Sequence, residues 1–538
     1  MSPVTRLAEA LMLSHGWRRF LILYVAGAVA ALSAAPLFIL PALLVAMPFW
    51  VWALDGAEPG RGIVDRLFGP AFAIGFAFGW GYFTVTFHWL GAAFFIEGGL
   101  YLLLMPPAIL ALAALIGLFW GLGSALAHAF WSNGPWRIAT LATALGAAEY
   151  ARGTFFTGFP FDLLGYALTG TDEMVQAASL VGIYGLTLIA ALIGFAPALV
   201  WPADGRTLTR RFVPVCLALG LVALQLGWGN VRLSSTALAE RDDLRLRLVQ
   251  PMVLEHVDWS LADPATVMDR LIGLTETRTG PDDPGLSGVT HVIWPESVFP
   301  FFLGQYPDAL ARIGRMLPEN ALLLTGAPRA DYATGTDNPG YNALLAIDTN
   351  GEIVARYDKS HLVPFGEYLP FADLFGLFGI RQFVPGTEGW APGDGRRLVA
   401  APGTPAFIAL ICYEAIFSGQ LGADPRDAQW ILNITNDAWF DGSIGPEKHA
   451  HHARIRAVEA GLPMVRVGNS GITFLSDPLG RITARLAPEE MALMDVVPTQ
   501  KLETTLFNRL WHWPFFFALG VGALLSIGAS RRPRKALA

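Results

Sequence analysis

Eight apolar stretches dominate the chain, near residues 19–34, 36–54, 70–88, 101–130, 136–150, 175–201, 212–229 and 511–530. A helix needs about 20 consecutive apolar residues to cross the hydrocarbon layer of a bilayer, and these runs are of that order. Seven precede residue 230 and one follows 510, while the block between them has ordinary polarity. Composition agrees, with 15% of residues charged and 53% hydrophobic, against about a quarter charged in an ordinary soluble domain. The expected organisation is a multi-pass α-helical membrane domain over 1–230, a water-facing domain over 231–510, and a last span with a basic tail over 511–538. A net charge of −7 gives no reason to look for a nucleic-acid partner.

The positive charges suggest an orientation. Arg18 and Arg19 precede the first run, Arg61 and Arg66 lie in the second loop, Arg137 in the fourth, and Arg206, Arg210 and Arg211 in the sixth. Arg531, Arg532, Arg534 and Lys535 close the chain. With about eight spans all of these fall on one side, which places both termini in the cytoplasm and the 231–510 domain outside it. The loop at 89–100 has no Lys or Arg, and the loop at 151–174 has only Arg152. The first run, after GWRRF, has the look of a signal peptide. It is expected to be retained, because the next run begins directly after Pro36 like the second arm of a hairpin. Few ionisable residues lie in the spans, with Glu97 and Glu149 near span ends, which argues against an ion or solute pathway.

The water-facing block reads as mixed α and β. DLRLRLVQP alternates like a strand, and THVIWPE, ALLLTGAP, FIALICYE and WILNITND are apolar runs of buried-strand length. YNALLAIDTNGEIVARYDK holds an Asn350-Gly351 turn between two alternating arms, and GITFLSDPLGRITARL repeats the pattern around 477–480. Residues 264–278 and 448–461 read as helices between strands.

Two cysteines are present, Cys216 in the apolar run VPVCLALGLV and Cys412 in the polar block. One is expected in lipid and the other in water, so no disulfide joins them and Cys412 is available for chemistry. Three strand ends carry reactive groups: IWPES with Glu296, YDKSHLVPFGEYLP with Lys359, and LICYEAIF with Cys412. A thiol with an ordinary pKa of about 8.5 is mostly protonated at neutral pH, so attack needs a base or a cationic neighbour. A carboxylate can take the proton, and an ammonium can stabilise the oxyanion of a tetrahedral intermediate. His449, His451 and His452 form a cluster with two members sharing a helix face, but without acid or Cys partners at zinc spacing. A surface or packing role is expected for them, and no metal.

These segments resemble the nitrilase superfamily, an αββα sandwich with a Glu–Lys–Cys triad in that order. Together with the apolar runs, the whole chain is similar to the apolipoprotein N-acyltransferases. The motifs that carry the likeness are WPES, YDKSHLVPFGEYLP, CYE and NDAWFDGSIGPEKHAHHARIRAVEAGLPMVRVGNSG. The resemblance implies Glu296 as general base, Lys359 as oxyanion-stabilising cation and Cys412 as nucleophile. It also implies supporting roles for Glu367, Tyr413 and Glu414, and substrate-side roles for Trp259 and Trp439. The implied reaction is ping-pong and needs neither metal nor soluble cofactor. An acyl chain would pass from a phospholipid, typically phosphatidylethanolamine, to Cys412 as a thioester, then to the N-terminal α-amine of a diacylglyceryl-cysteine apolipoprotein. The implied setting is the bacterial inner membrane with the catalytic domain in the periplasm. A membrane-anchored amidase of the same superfamily is the alternative. The Phe- and Leu-rich stretch 364–386 reads either as a flap dipping into the interface or as a loop packed on the core, and 154–166 invites the same pair of readings.

Overall fold

Where short apolar runs end in Gly, Pro or Asp, strands form and stop. A computed structural model of the chain describes all residues except 1, 59, 100, 203–206, 254–262, 279, 331–339, 371–388, 423 and 532–538, and leaves the side chains of Glu97 and Tyr101 undescribed. The chain divides into two compact units, Met1–Thr236 with Leu506–Ala538, and Ala237–Thr505.

Among the described residues the Ala237–Thr505 unit holds two six-stranded sheets. The first is built from β1 (Leu246–Gln250), β2 (His291–Trp294), β3 (Leu322–Arg329), β4 (Tyr341–Ile347), β5 (Ile353–Asp358) and a strand from the unit's far end, Ala492–Val496. The second contains β6 (Leu398–Ala401), β7 (Thr404–Ile411), β8 (Trp430–Thr435), β9 (Met464–Gly468), β10 (Phe474–Ser476) and β11 (Ile482–Arg485), which makes Ala492–Val496 β12. The order in the first sheet is β12-β1-β2-β3-β4-β5 and in the second β11-β10-β9-β8-β7-β6. Each sheet has three adjacent parallel strands, β1–β3 and β7–β9, flanked by antiparallel ones.

The sheets face one another. One core cluster interleaves Leu246, Leu248, Ile293, Leu324 and Leu344 of the first sheet with Phe407, Ala409, Leu432, Ile434 and Val467 of the second. The helices Pro264–Glu276 and Pro307–Met316 cover the outer face of the first sheet, and Gly445–Ala460 covers that of the second. This is an αββα sandwich. Both hairpins form where the turn residues stand, with the Gly351 N–H donating to Asp348 O and the Gly480 N–H to Asp477 O.

One strand departs from its expected pattern. The alternation in DLRLRLVQP suggests polar residues facing water, yet every residue of β1 is buried. Arg247 lies under the helix layer, where its Nη2 meets Asp495 Oδ2 at 2.7 Å and its Nη1 donates to Thr275 O at 2.9 Å. A buried guanidinium is tolerated because its donors are matched.

The other unit is helical. Five helical stretches among the described residues are long and apolar enough to cross a bilayer: Ile63–Ile96, Leu102–Ala129, Ala178–Leu199, Leu208–Ser235 and Trp513–Ser530. Leu40–Asp55 is apolar but 16 residues long, Gly16–Ala30 has 15 residues, and Trp136–Thr154 is diluted by Arg137, Glu149 and Arg152. Together these helices account for all eight apolar runs. Leu217 (65% exposed), Leu224 (69%), Phe517 (75%) and Leu524 (72%) show the apolar faces that lipid covers.

The ionisable pair in this unit lies near the end of its helix, as the sequence suggests for Glu149, but it is buried and Arg152 belongs to the helix instead of the following loop. The helix continues through Thr154, so Arg152 lies inside it and is wholly buried beside Glu149. Arg152 Nε donates to Glu149 Oε1 at 2.8 Å, and Trp120 Nε1 donates to the same oxygen at 2.7 Å. Arg152 Nη1 also donates to the carbonyls of Phe159 and Phe161. The loop 155–161 is thereby tied to the bundle, while Phe155 and Phe156 at its tip remain exposed.

Candidate active site

Glu296 follows the end of β2. Pro295 lacks an N–H and cannot continue the ladder, and its carbonyl instead accepts from the Gly326 N–H. A Cβ on Gly326 would sit 2.6 Å from the Cα of Glu296, so glycine is what allows β3 to pass this close. Glu296 is buried and its oxygens have separate partners. Oε1 accepts from Asn342 Nδ2 at 2.7 Å and from Lys359 Nζ at 3.3 Å, and Oε2 accepts from the Asn436 N–H at 2.8 Å.

Lys359 directly follows β5, and its backbone N–H extends the hairpin by donating to Asn342 O at 2.8 Å. Its side chain is buried, with Nζ 2.8 Å from Glu367 Oε1. Burial works against the ammonium, but Glu296 first and then Glu367 outweigh it, holding its pKa well above the ordinary lysine range. Glu367 is anchored in turn, its Oε2 accepting from the Val363 N–H at 2.8 Å and its Oε1 from Asn342 Nδ2 at 3.1 Å.

Cys412 directly follows β7 and is half-buried. Its φ of +50° puts a non-glycine residue in the left-handed region, a strained conformation that turns the side chain out of the sheet. Burial pushes the thiol well above its ordinary pKa, the Glu296 charge adds to this, and Lys359 opposes it. The three groups are thus within electrostatic reach of one another. A thiol in this environment is protonated at neutral pH and needs a base at the moment of attack.

Glu414 locks the Cys412 turn to the Lys359 loop. Its Oε2 accepts from the Ile411 N–H at 2.8 Å, and its Oε1 from Tyr357 Oη, Ser360 N and His361 N at 2.8, 3.0 and 3.1 Å. Tyr413 is buried and packs beside the rings of His361 and Phe417, which are in contact with each other. Trp439 stands in a short turn of helix after β8, half-buried. Trp259 and most of the 364–386 stretch lie outside the described residues.

Several polar residues here carry no sequence signal of their own. Asn342 bridges both carboxylates, yet it sits in an apolar strand run. His449, expected at the surface or in packing, is buried, with Nδ1 2.8 Å from Asp437 Oδ1 and Nε2 3.1 Å from Cys412 O. Its position three before His452 is the helical spacing that hints at an inward face. Burial alone would raise the Asp437 carboxyl, but Arg466 and then His449 hold it well below the usual carboxylate range. The thiol of Cys412, a carboxylate oxygen of Asp437 and a ring nitrogen of His449 lie within 4.8 Å of one another. The set does not suit a metal ion, because Arg466 Nη2 already meets Asp437 Oδ2 at 2.7 Å and both His449 nitrogens are engaged.

A buried acid, an ammonium and a thiol at three strand ends can open an ester or amide through a covalent thioester. Comparison with known proteins narrows the class. The family model described as apolipoprotein N-acyltransferase N-terminal domain matches residues 26–196, and that described as carbon-nitrogen hydrolase matches 288–499. The apolipoprotein N-acyltransferase of Rhodopseudomonas palustris is 38% identical over 540 residues, covering 98% of each chain. That of Bradyrhizobium diazoefficiens is 38% identical over 97% of each, and that of Rhizobium leguminosarum bv. trifolii 40% identical over 94% of this chain and 96% of its own. Yeast Nit3, of branch 10 of the nitrilase superfamily, matches half of this chain and 93% of its own at a TM-score of 0.34 and 18% identity. On full-length identity to such relatives, this chain belongs to the apolipoprotein N-acyltransferase family.

Proposed function

We propose that this protein transfers an acyl chain from a membrane phospholipid, phosphatidylethanolamine being the typical donor, to the N-terminal α-amine of a diacylglyceryl-cysteine apolipoprotein. Cys412 Sγ attacks the ester carbonyl while Glu296 takes the thiol proton. Lys359, with the Tyr413 N–H, steadies the oxyanion. The ester C–O bond breaks, the lysophospholipid leaves with the proton from Glu296, and a thioester remains. The α-amine then attacks the thioester, Glu296 accepts the amine proton, the C–S bond breaks and the thiol is restored. Glu367 and Glu414 support the cation and the two loops, and Trp259 and Trp439 belong to the substrate side.

The observation that carries this reading is the Lys359 ammonium held between Glu296 and Glu367, with the Cys412 thiol in their reach. Lipid-facing helices in the same chain supply the reason for a lipid donor. The full-length relatives favour transfer to an amine over simple hydrolysis. In this reading Ala237–Thr505 is the catalytic domain, lying outside the cytoplasm of a bacterial inner membrane with both termini inside. The test incubates the full-length protein with acyl-labelled phosphatidylethanolamine and a diacylated lipopeptide. A fatty acyl adduct on Cys412, followed by label on the peptide α-amine, supports transfer. Free fatty acid alone points to a hydrolase, and absence of both overturns the proposal.

A further inference from the structure

The thiol is only half of what the Cys412 turn offers; the peptide bond that follows it is held as well. Cys412 O accepts from His449 Nε2 at 3.1 Å, and the other ring nitrogen faces Asp437 Oδ1 at 2.8 Å. The carbonyl oxygen of Cys412 only accepts, so the Nε2 bond uses an N–H of the ring, while Nδ1 lies between Asp437 Oδ1 and Arg466 Nη2, the latter at 3.2 Å. Asp437 is itself fixed, its Oδ2 meeting Arg466 Nη2 at 2.7 Å, and Arg466 Nη1 also donates to Asn433 Oδ1. All four side chains are buried. Gly471 completes the enclosure, since a Cβ there would run into the Asp437 carboxylate. The buried Asp437–Arg466 ion pair is costly unless its donors and acceptors are matched, and a network so matched rigidifies what it holds.

A peptide unit is planar and trans, so the carbonyl of Cys412 and the N–H of Tyr413 point in opposite directions from one rigid plate. Holding the oxygen fixes the direction of the hydrogen. The left-handed φ of Cys412 is a conformation that persists only where its surroundings over-determine it, and His449 supplies that constraint from the helix Gly445–Ala460. We infer that His449, backed by Asp437 and Arg466, is a positioning residue that aims the Cys412–Tyr413 peptide so that its N–H meets the oxyanion formed at Cys412. The inference rests on the reading of Cys412 as nucleophile.

The experiment uses the full-length enzyme in vesicles of acyl-labelled phosphatidylethanolamine, with single-turnover acylation of Cys412 read by mass spectrometry. In parallel, alkylation of the Cys412 thiol by iodoacetamide is followed, because that reaction passes through no oxyanion. His449→Ala and His449→Asn are expected to slow acylation by about 10²–10³-fold, the usual cost of losing one oxyanion donor, while alkylation stays within about threefold of wild type. His449→Gln, whose amide reaches the position of Nε2, is expected to recover most of the acylation rate. Wild-type acylation in His449→Ala overturns the inference. So does a parallel fall in alkylation in His449→Gln, which would mark a general disturbance of the turn. Cys412→Ala in the same assay isolates the underlying reading: an adduct forming there removes the nucleophile assignment whatever the His449 variants do.

Discussion

The ammonium of Lys359 sits closer to Glu367, at 2.8 Å from Oε1, than to Glu296, at 3.3 Å from Oε1. The cation is therefore shared between two carboxylates, and Glu296 is not its sole partner. Glu367→Gln removes the competing charge and is expected to let Lys359 close on Glu296. Acylation of Cys412 should slow by about 10–100-fold with the fold intact, within the range that general base catalysis contributes. Rapid-quench mass spectrometry of the acyl-enzyme, with circular dichroism as control, checks this. An unchanged rate would remove Glu367 from the machinery.

Glu296→Gln keeps the shape and, with its amide oxygen toward the Asn436 N–H, that contact; in the proposed assignment it loses the base. The acylation rate is expected to drop by about 10²–10⁴-fold, while binding of the phospholipid to the enzyme is little altered. Single-turnover rates over a range of donor concentrations separate the two effects.

Burial and the Glu296 charge raise the Cys412 thiol above its ordinary range. The neutral thiol thus persists to higher pH than in a free cysteine. Alkylation of Cys412, followed on its own peptide to distinguish it from Cys216, is expected to keep rising beyond pH 9, where an ordinary thiol with a pKa of about 8.5 is levelling off. A plateau near pH 8 would contradict the environment described here.

His291 bridges Thr290 Oγ1 at 2.9 Å and Thr404 Oγ1 at 2.8 Å, and burial lowers its pKa to about 4. The folded state resists its protonation while the unfolded state, near 6.5, does not. The stabilisation is complete above about pH 6.5 and is lost as pH falls toward 4, a drop on the order of 3 kcal/mol. Thermal unfolding of wild type and His291→Gln across that window is expected to show a steeper acid loss in the wild type. Parallel curves would refute it.

Glu149 and Arg152 are wholly buried among the helices. Arg152→Met leaves an unpaired buried carboxylate and is expected to cost about 3–5 kcal/mol. Adding Glu149→Leu should recover much of the loss. Thermal unfolding in detergent of the two single variants and the double decides whether the pair is coupled.

Much of this was legible before any coordinates. The runs ending in WPE, YDK and ICYE stop in polar residues, and a buried strand that ends so abruptly places its last side chain at a sheet margin. The Asn350-Gly351 turn marked its hairpin for the same local reason. What was not legible depends on neighbours distant in the chain. Arg247 reads as a water-facing strand residue until Asp495, on another strand, is found to meet it. Arg152 reads as a loop charge until its helix is seen to run four residues past 150 and pair it inward. Asn342 sits in an apolar run, and His449 in a polar helix, so neither announces a partner. Order within each sheet was equally hidden, since β12 joins β1 from the opposite end of the unit.

Glu296 grows from the first sheet but takes an N–H from Asn436, 140 positions later, at the end of β8 in the second. Its carboxylate is thus a rivet across the seam between the halves. The first half carries Glu296 and Lys359 and the second carries Cys412, so in the proposed assignment neither half alone holds acid, amine and sulfur together. Under the proposed function, reactivity therefore waits on the closing of the two halves, and a chain still short of that point can sit among lipid donors without consuming them.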